Sequence, residues 1–166
     1  EPLHQSDRTD EHRATALRMV DSGDAYWCDC TADEVRARAE ERGGPPGYDG
    51  HCRDRLVEQG EGTALRFRRP EGTTGWTDLV RGPVVFDNAA LEDFVLLRSN
   101  GAPVFLLANA LDDAHMGVTH VIRGEDHVNG TPKYLMILHA LGLPEPQAFA
   151  HMPLLVNESR KKLSKR

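Results

Sequence analysis

GVTHVIRGEDHVNGTPKYLMILHALGLPEPQAFAHMPLLV (Gly117–Val156) is the stretch that decides the fold. Its opening, GVTHVIRG, is a short apolar run of strand length. TPKYLMILHALG (131–142) is punctuated as a helix, with Thr131 as N-cap, Pro132 at the first helical position and Gly142 as the stop. Tyr134, Leu138 and Leu141 recur on one face. FAHMPLLV (149–156) is again a strand. Strand, helix, strand implies a parallel βαβ unit, half of a doubly wound α/β sheet whose ligands sit at the carboxyl ends of the strands.

RGEDHVN (123–129) falls on that edge, between the first strand and the helix. Buried charge is costly there unless paired or solvated, so a crevice is its natural setting. Arg123 offers a fork for a carboxylate. Glu125 and Asp126 can accept from an amine or a ribose hydroxyl, with His127 and Asn129 to orient them. A solvated loop held by a structural Arg–Glu pair explains the same string.

Upstream, DFVLLRSNGAPVFLLAN (93–109) sets Asn100-Gly101 between two apolar runs, the pattern of a β-hairpin. TALRFR (63–68) alternates, and DLVRGPVVF (78–86) suggests two strands around Arg81-Gly82. Residues 43–62 are rich in Gly and Pro and read as irregular. Thr31 and Glu34 have capping-box spacing, which predicts a helix over 32–42 after a strand in AYWCDC (25–30). Residues 7–22 form a first helix, with Ala14, Leu17 and Val20 on its apolar stripe and Gly23 as its stop.

Composition sets outer limits. The 166 residues suffice for one medium domain or pieces of two, and 39% hydrophobic with 28% charged residues is ordinary for a globular chain. No apolar run reaches bilayer length and no leader opens the chain, so a cytoplasmic location without membrane contact is expected. A net charge of −6 argues against non-specific coating of nucleic acid. Arg53, Arg55, Arg66, Arg68 and Arg69 can still meet RNA phosphates locally, or form a solvated strand face. At the other end, RKKLSKR (160–166) places Lys162 and Lys165 around Ser164. Such a loop after a sheet strand can neutralise triphosphate charge during nucleotidyl transfer, although a lone Lys-rich string is more often a solvated tail.

The order of these features, from DFVLLRSNGAPVFLLAN through GVTHVIRGEDH to KLSKR, resembles bacterial glutamyl-tRNA synthetases, a family of class I aminoacyl-tRNA synthetases. The resemblance implies a Rossmann-type catalytic domain interrupted by an inserted α+β domain that binds the tRNA acceptor stem. Residues 1–23 would end the first Rossmann half, 24–110 form the insertion, and 111–166 open the second half. It implies ATP-dependent activation of glutamate, with Mg, to glutamyl-adenylate and transfer to the 3′ end of tRNA(Glu) by a monomer. Lys162, Ser164 and Lys165 match the family's second signature loop, the two lysines as catalytic candidates and all three as ATP contacts. Arg123, Asn109 and Phe105 match glutamate-pocket positions, Phe105 standing where tyrosine is common. Glu125, Asp126 and His127 take supporting roles.

The family's HIGH-type motif and its anticodon-binding domain have no counterpart here, so the chain is expected to be a central fragment, inactive alone. A glutamyl-queuosine tRNA(Asp) synthetase is the nearest alternative, and an inactive synthetase-like fragment that binds RNA or a partner is another. Cys28-x-Cys30 with GYDGHC (47–52) resembles a zinc knuckle of some relatives. Cys28, Cys30 and Cys52 leave a fourth position for Tyr48, His51 or Asp54; Tyr48, in a Y-x-x-x-C pattern, resembles the subgroup of relatives that uses a tyrosine, although histidine is the commoner ligand. Three buried free thiols in a reducing compartment are the alternative.

Overall fold

The parallel strand–helix–strand unit forms, with its helix starting one residue earlier than its punctuation predicts. In the computed structural model, which describes residues 3–43, 47–155, 157 and 163, strand β6 (His120–Gly124) and strand β7 (Ala148–Met152) pair in parallel. Their register sets Val121 against Phe149 and Arg123 against His151. Between them runs a 3-10 turn (Glu125–Gly130) and helix α4 (Thr131–Ala140). Numbering the remaining elements in chain order gives α1 (Thr9–Asp21), β1 (Ala25–Cys28), α2 (Ala32–Glu41), β2 (Ala64–Phe67), β3 (Thr73–Asp78), β4 (Gly82–Asp87), β5 (Val95–Leu97) and α3 (Phe105–Met116).

Two sheets result. One is antiparallel, β1-β2-β5; the other runs β4-β3-β7-β6. The β3–β4 hairpin forms where two strands are expected, turning at Gly82 with φ +75°. Its β3 strand adds to β7 in parallel at Asp78↔Phe149, so this sheet draws on both the 24–110 and the 111–166 stretches. The larger of two apolar clusters among the described residues unites Met19, Leu65, Phe67, Leu97, Leu107, Tyr134, Leu138 and Phe149. Each such side chain contributes roughly 1.5–3 kcal/mol on burial. No helix among the described residues is long and apolar enough to cross a membrane.

Several local readings need correction. The run after Asn100-Gly101 does not return as a strand. The chain turns back at Asn100-Gly101 for one bridge, Leu97↔Pro103, flanked by the Arg98 N–H to Ala102 carbonyl and Val104 N–H to Leu96 carbonyl bonds, and Phe105 then starts α3. The apolar spacing continues past Asn109, with Leu107, Ala108, Ala110 and Leu111 buried, and Gly117 closes the helix at φ +66°. A short apolar run cannot by itself distinguish strand from helix; its continuation does. Thr131 is the first residue of α4, not its cap: Gly130 occupies the N-cap and no side chain caps there. The single stripe on α4 is also too narrow, because Tyr134 through Leu138 are all buried, as befits a helix enclosed by protein. By contrast, the Thr31–Glu34 capping box forms in both directions.

Candidate functional site

Arg123 lies at the carboxyl end of β6 and is half-buried. Its Nε donates to His151 Nε2 at 3.1 Å and its Nη2 to Thr131 Oγ1 at 2.8 Å. The guanidinium carbon stands 5.9 Å from the Tyr134 ring centroid. No carboxylate among the described residues reaches it at ion-pair distance, and burial lowers its pKa from the ordinary arginine value. Thr131, the first residue of α4, sets its hydroxyl against this guanidinium, against the His127 carbonyl at 3.0 Å and against His151 Nε2 at 3.1 Å.

Behind Arg123 is a buried acid. His151 and Asp78 side chains are both 0% exposed, and the ring Nδ1 donates to Asp78 Oδ2. Asp78 Oδ1 also accepts backbone N–H groups of Val80, Arg81 and His151. Burial pushes this carboxyl up, but the His151 ring, the backbone N–H groups and the Trp76 indole outweigh it and hold it well below the usual range. An ionised Asp78 keeps the proton on Nδ1, which leaves the lone pair of Nε2 to accept from Arg123. Neither Asp78 nor His151 stands out in the sequence; the only signal is a titratable side chain inside the apolar strand FAHMPLLV.

Helix α3 packs against α4 beside this group. Phe105, Asn109 and Asp113 follow one another at one-turn spacing. Asn109 Nδ2 donates to Asp113 Oδ2 at 3.0 Å, and Tyr134 Oη donates to the same oxygen at 3.2 Å. Asn109 and Arg123 therefore meet through Asp113 and Tyr134, while Phe105 opens the helix 59% exposed. Burial pushes the Asp113 carboxyl up, against the pull of Tyr134, Arg123 and Asn109.

The acids of RGEDHVN do other work. Glu125 pairs with Arg81 of the β3–β4 turn, not with Arg123, and accepts from the Leu154 N–H at 3.1 Å. Asp126 crowds Gly124 so closely that a Cβ there would sit 2.5 Å from its Oδ1. The His127 side chain is exposed. Lys162, Ser164 and Lys165 lie outside the described residues.

The cysteines converge. The sulfurs of Cys28, Cys30 and Cys52 all lie within 4.8 Å of one another, those of Cys30 and Cys52 3.4 Å apart. Tyr48 packs in the same cluster as Cys28 and Cys52, its Oη accepting from the Cys52 N–H at 2.7 Å. Burial and the neighbouring Cys52 thiol push Cys30 up to about 12. His51 is exposed, and Asp54 is engaged by Arg68. The arginines offered for RNA are largely occupied: Arg53 by Asp93, Arg55 by Asp29, Arg68 by Asp54, and Arg66 by the Asp93 carbonyl and the Tyr48 ring.

The chain is similar to known proteins along nearly its whole length. The glutamate–tRNA ligase of Frankia alni is 54% identical over 99% of this chain, and that of Thermobifida fusca 52%. The chain spans about a third of their length, 35% and 34%. A crystal structure of a glutamate tRNA ligase from Elizabethkingia meningosepticum, in complex with its amino acid, superposes with a TM-score of 0.83 at 29% identity. That match covers 99% of this chain and 37% of the other. Residues 1–166 match the model of the tRNA synthetases class I (E and Q) catalytic domain, and to that family this chain belongs.

Proposed function

We propose that the protein is a glutamate–tRNA ligase, activating glutamate with ATP and Mg and passing it to the 3′ end of tRNA(Glu). The observation that carries this reading is Arg123: a half-buried guanidinium at the carboxyl edge of the sheet, held by His151 and Thr131, with no carboxylate at ion-pair distance among the described residues. Such a cation favours a carboxylate-bearing substrate over an amide. Asn109 and Phe105 line the same pocket from α3. Glu125 secures its rim, Asp126 and His127 flank it, and Lys162, Ser164 and Lys165 neutralise phosphate charge as it develops. Residues 24–110 act as an insertion that steadies the acceptor end of the tRNA. The test is amino-acid-dependent ATP–pyrophosphate exchange by the full-length protein. Exchange with glutamate and not with glutamine is expected; the reverse preference overturns the assignment.

Zinc is the second component. A tetrahedral ion with Zn–S bonds of about 2.3 Å sets its sulfurs roughly 3.8 Å apart, and the three thiols lie within 4.8 Å of one another. Cys28, Cys30, Cys52 and the Tyr48 oxygen hold it, and it staples a loop with little core of its own. Elemental analysis should find about one zinc per chain, lost in Cys30→Ser. Metal-free protein of undiminished stability rules the site out.

A further inference from the structure

The contact between His151 and Arg123 has a polarity that packing alone does not require. Asp78 is saturated by donors from β3, the turn after it and β7, so it has no freedom to turn away from His151. It fixes which ring nitrogen carries the proton, and thereby makes Nε2 an acceptor facing a guanidinium 3.1 Å away. Thr131 completes the grip on Nη2. A flexible side chain is thus clamped through two of its nitrogens by groups fully buried in the protein, and among the described residues the N–H groups of Nη1 and the second N–H of Nη2 are left to form a fork on another acceptor.

We infer that Asp78, His151 and Thr131 form a relay of positioning residues that sets the direction of the Arg123 fork, and with it the affinity for the substrate carboxylate. This rests on the reading of Arg123 as the carboxylate holder. None of the three touches the substrate; they act through Arg123. A misaligned guanidinium keeps its charge but loses the parallel geometry of a two-bond contact, so the loss falls on amino-acid binding and not on ATP.

Two substitutions at His151 separate positioning from mere packing. In His151→Asn the amide reaches the Nδ1 position, keeping the bond to Asp78 and deleting the acceptor for Arg123. In His151→Gln the amide oxygen reaches the Nε2 position and restores that acceptor. Steady-state exchange by the full-length protein should show a glutamate KM raised about tenfold in His151→Asn, with little change in the KM for ATP or in kcat. His151→Gln should recover most of the loss. Equal defects in the two variants, or a parallel rise in the KM for ATP, would mean that His151 serves packing only. Thr131→Val removes the second clamp without changing side-chain shape and should also raise the glutamate KM. It decides alone if His151→Asn does not fold, and an unchanged KM then overturns the relay. Arg123→Ala distinguishes the two levels. If it leaves the glutamate KM unaltered, the pocket assignment itself falls; if it raises the KM while His151→Asn does not, only the relay falls.

Discussion

Arg53 and Arg123 are both partly buried arginines, and they meet opposite surroundings. Arg53 closes a two-bond fork on Asp93, Nε and Nη2 lying 2.9 and 2.8 Å from the two oxygens. Asp93 also accepts from the Tyr26 hydroxyl at 2.6 Å and from the Arg69 N–H at 3.0 Å. Every lone pair is used and the charges cancel. Arg123 is hydrogen-bonded too, but among the described residues no counter-charge is in contact with it. The difference is one of purpose. A guanidinium whose charge is neutralised within the fold has little left to offer a ligand, whereas one held by neutral acceptors is oriented but electrostatically incomplete.

The largest effect should come from the completed pair. Asp93→Ala leaves Arg53 without its acid and Tyr26 without its acceptor, both in a largely buried setting. Loss of about 3–5 kcal/mol of stability is expected, read from urea unfolding. A loss below about 1 kcal/mol would place Arg53 among surface pairs and remove the contrast. Arg123→Ala should behave in the opposite way. Roughly 2–3 kcal/mol should disappear from glutamate kcat/KM in the full-length protein, with a smaller change in unfolding free energy. A large stability loss with intact kinetics would make Arg123 the structural residue of the two.

The same contrast explains what the sequence discloses. The βαβ unit is legible because Pro132 and Gly142 punctuate it locally, and the Thr31–Glu34 box because both partners lie within one helical turn. Helix α3 is not, since PVFLLAN is short and apolar whichever element holds it, and only burial at Leu111 and the Gly117 cap reveal the period. The carboxylate candidate Arg123 can be named from its strand-end position, but its partners cannot. Asp78 and His151 are 73 residues apart and meet only after β3 has joined β7. Likewise the arginines at 53, 55 and 68 look available in sequence because Asp93, Asp29 and Asp54 are assigned to them only by folding.

The smallest effect concerns Asp113, the acid that comes nearest to balancing Arg123. Burial raises its carboxyl, whereas Asp93, also pushed up by burial, is held below the usual range by Arg53, Tyr26 and the Arg69 N–H. The two therefore act on stability with opposite sign. Asp93 stabilises the fold above the ordinary carboxylate range, and that contribution is lost as pH falls through its depressed folded value. Asp113 binds its proton more tightly when folded, so its ionised form opposes folding near neutrality, and the penalty fades as pH falls through the raised value. Asp113→Asn retains an oxygen to accept from Asn109 and Tyr134 while removing the charge. It should be neutral or stabilising by up to about 1 kcal/mol at pH 7, with the advantage shrinking toward pH 4. Urea midpoints at the two pH values measure this. Clear destabilisation at pH 7 would show that Asp113 already serves as the counter-charge of Arg123, and Arg123 would then be a second Arg53.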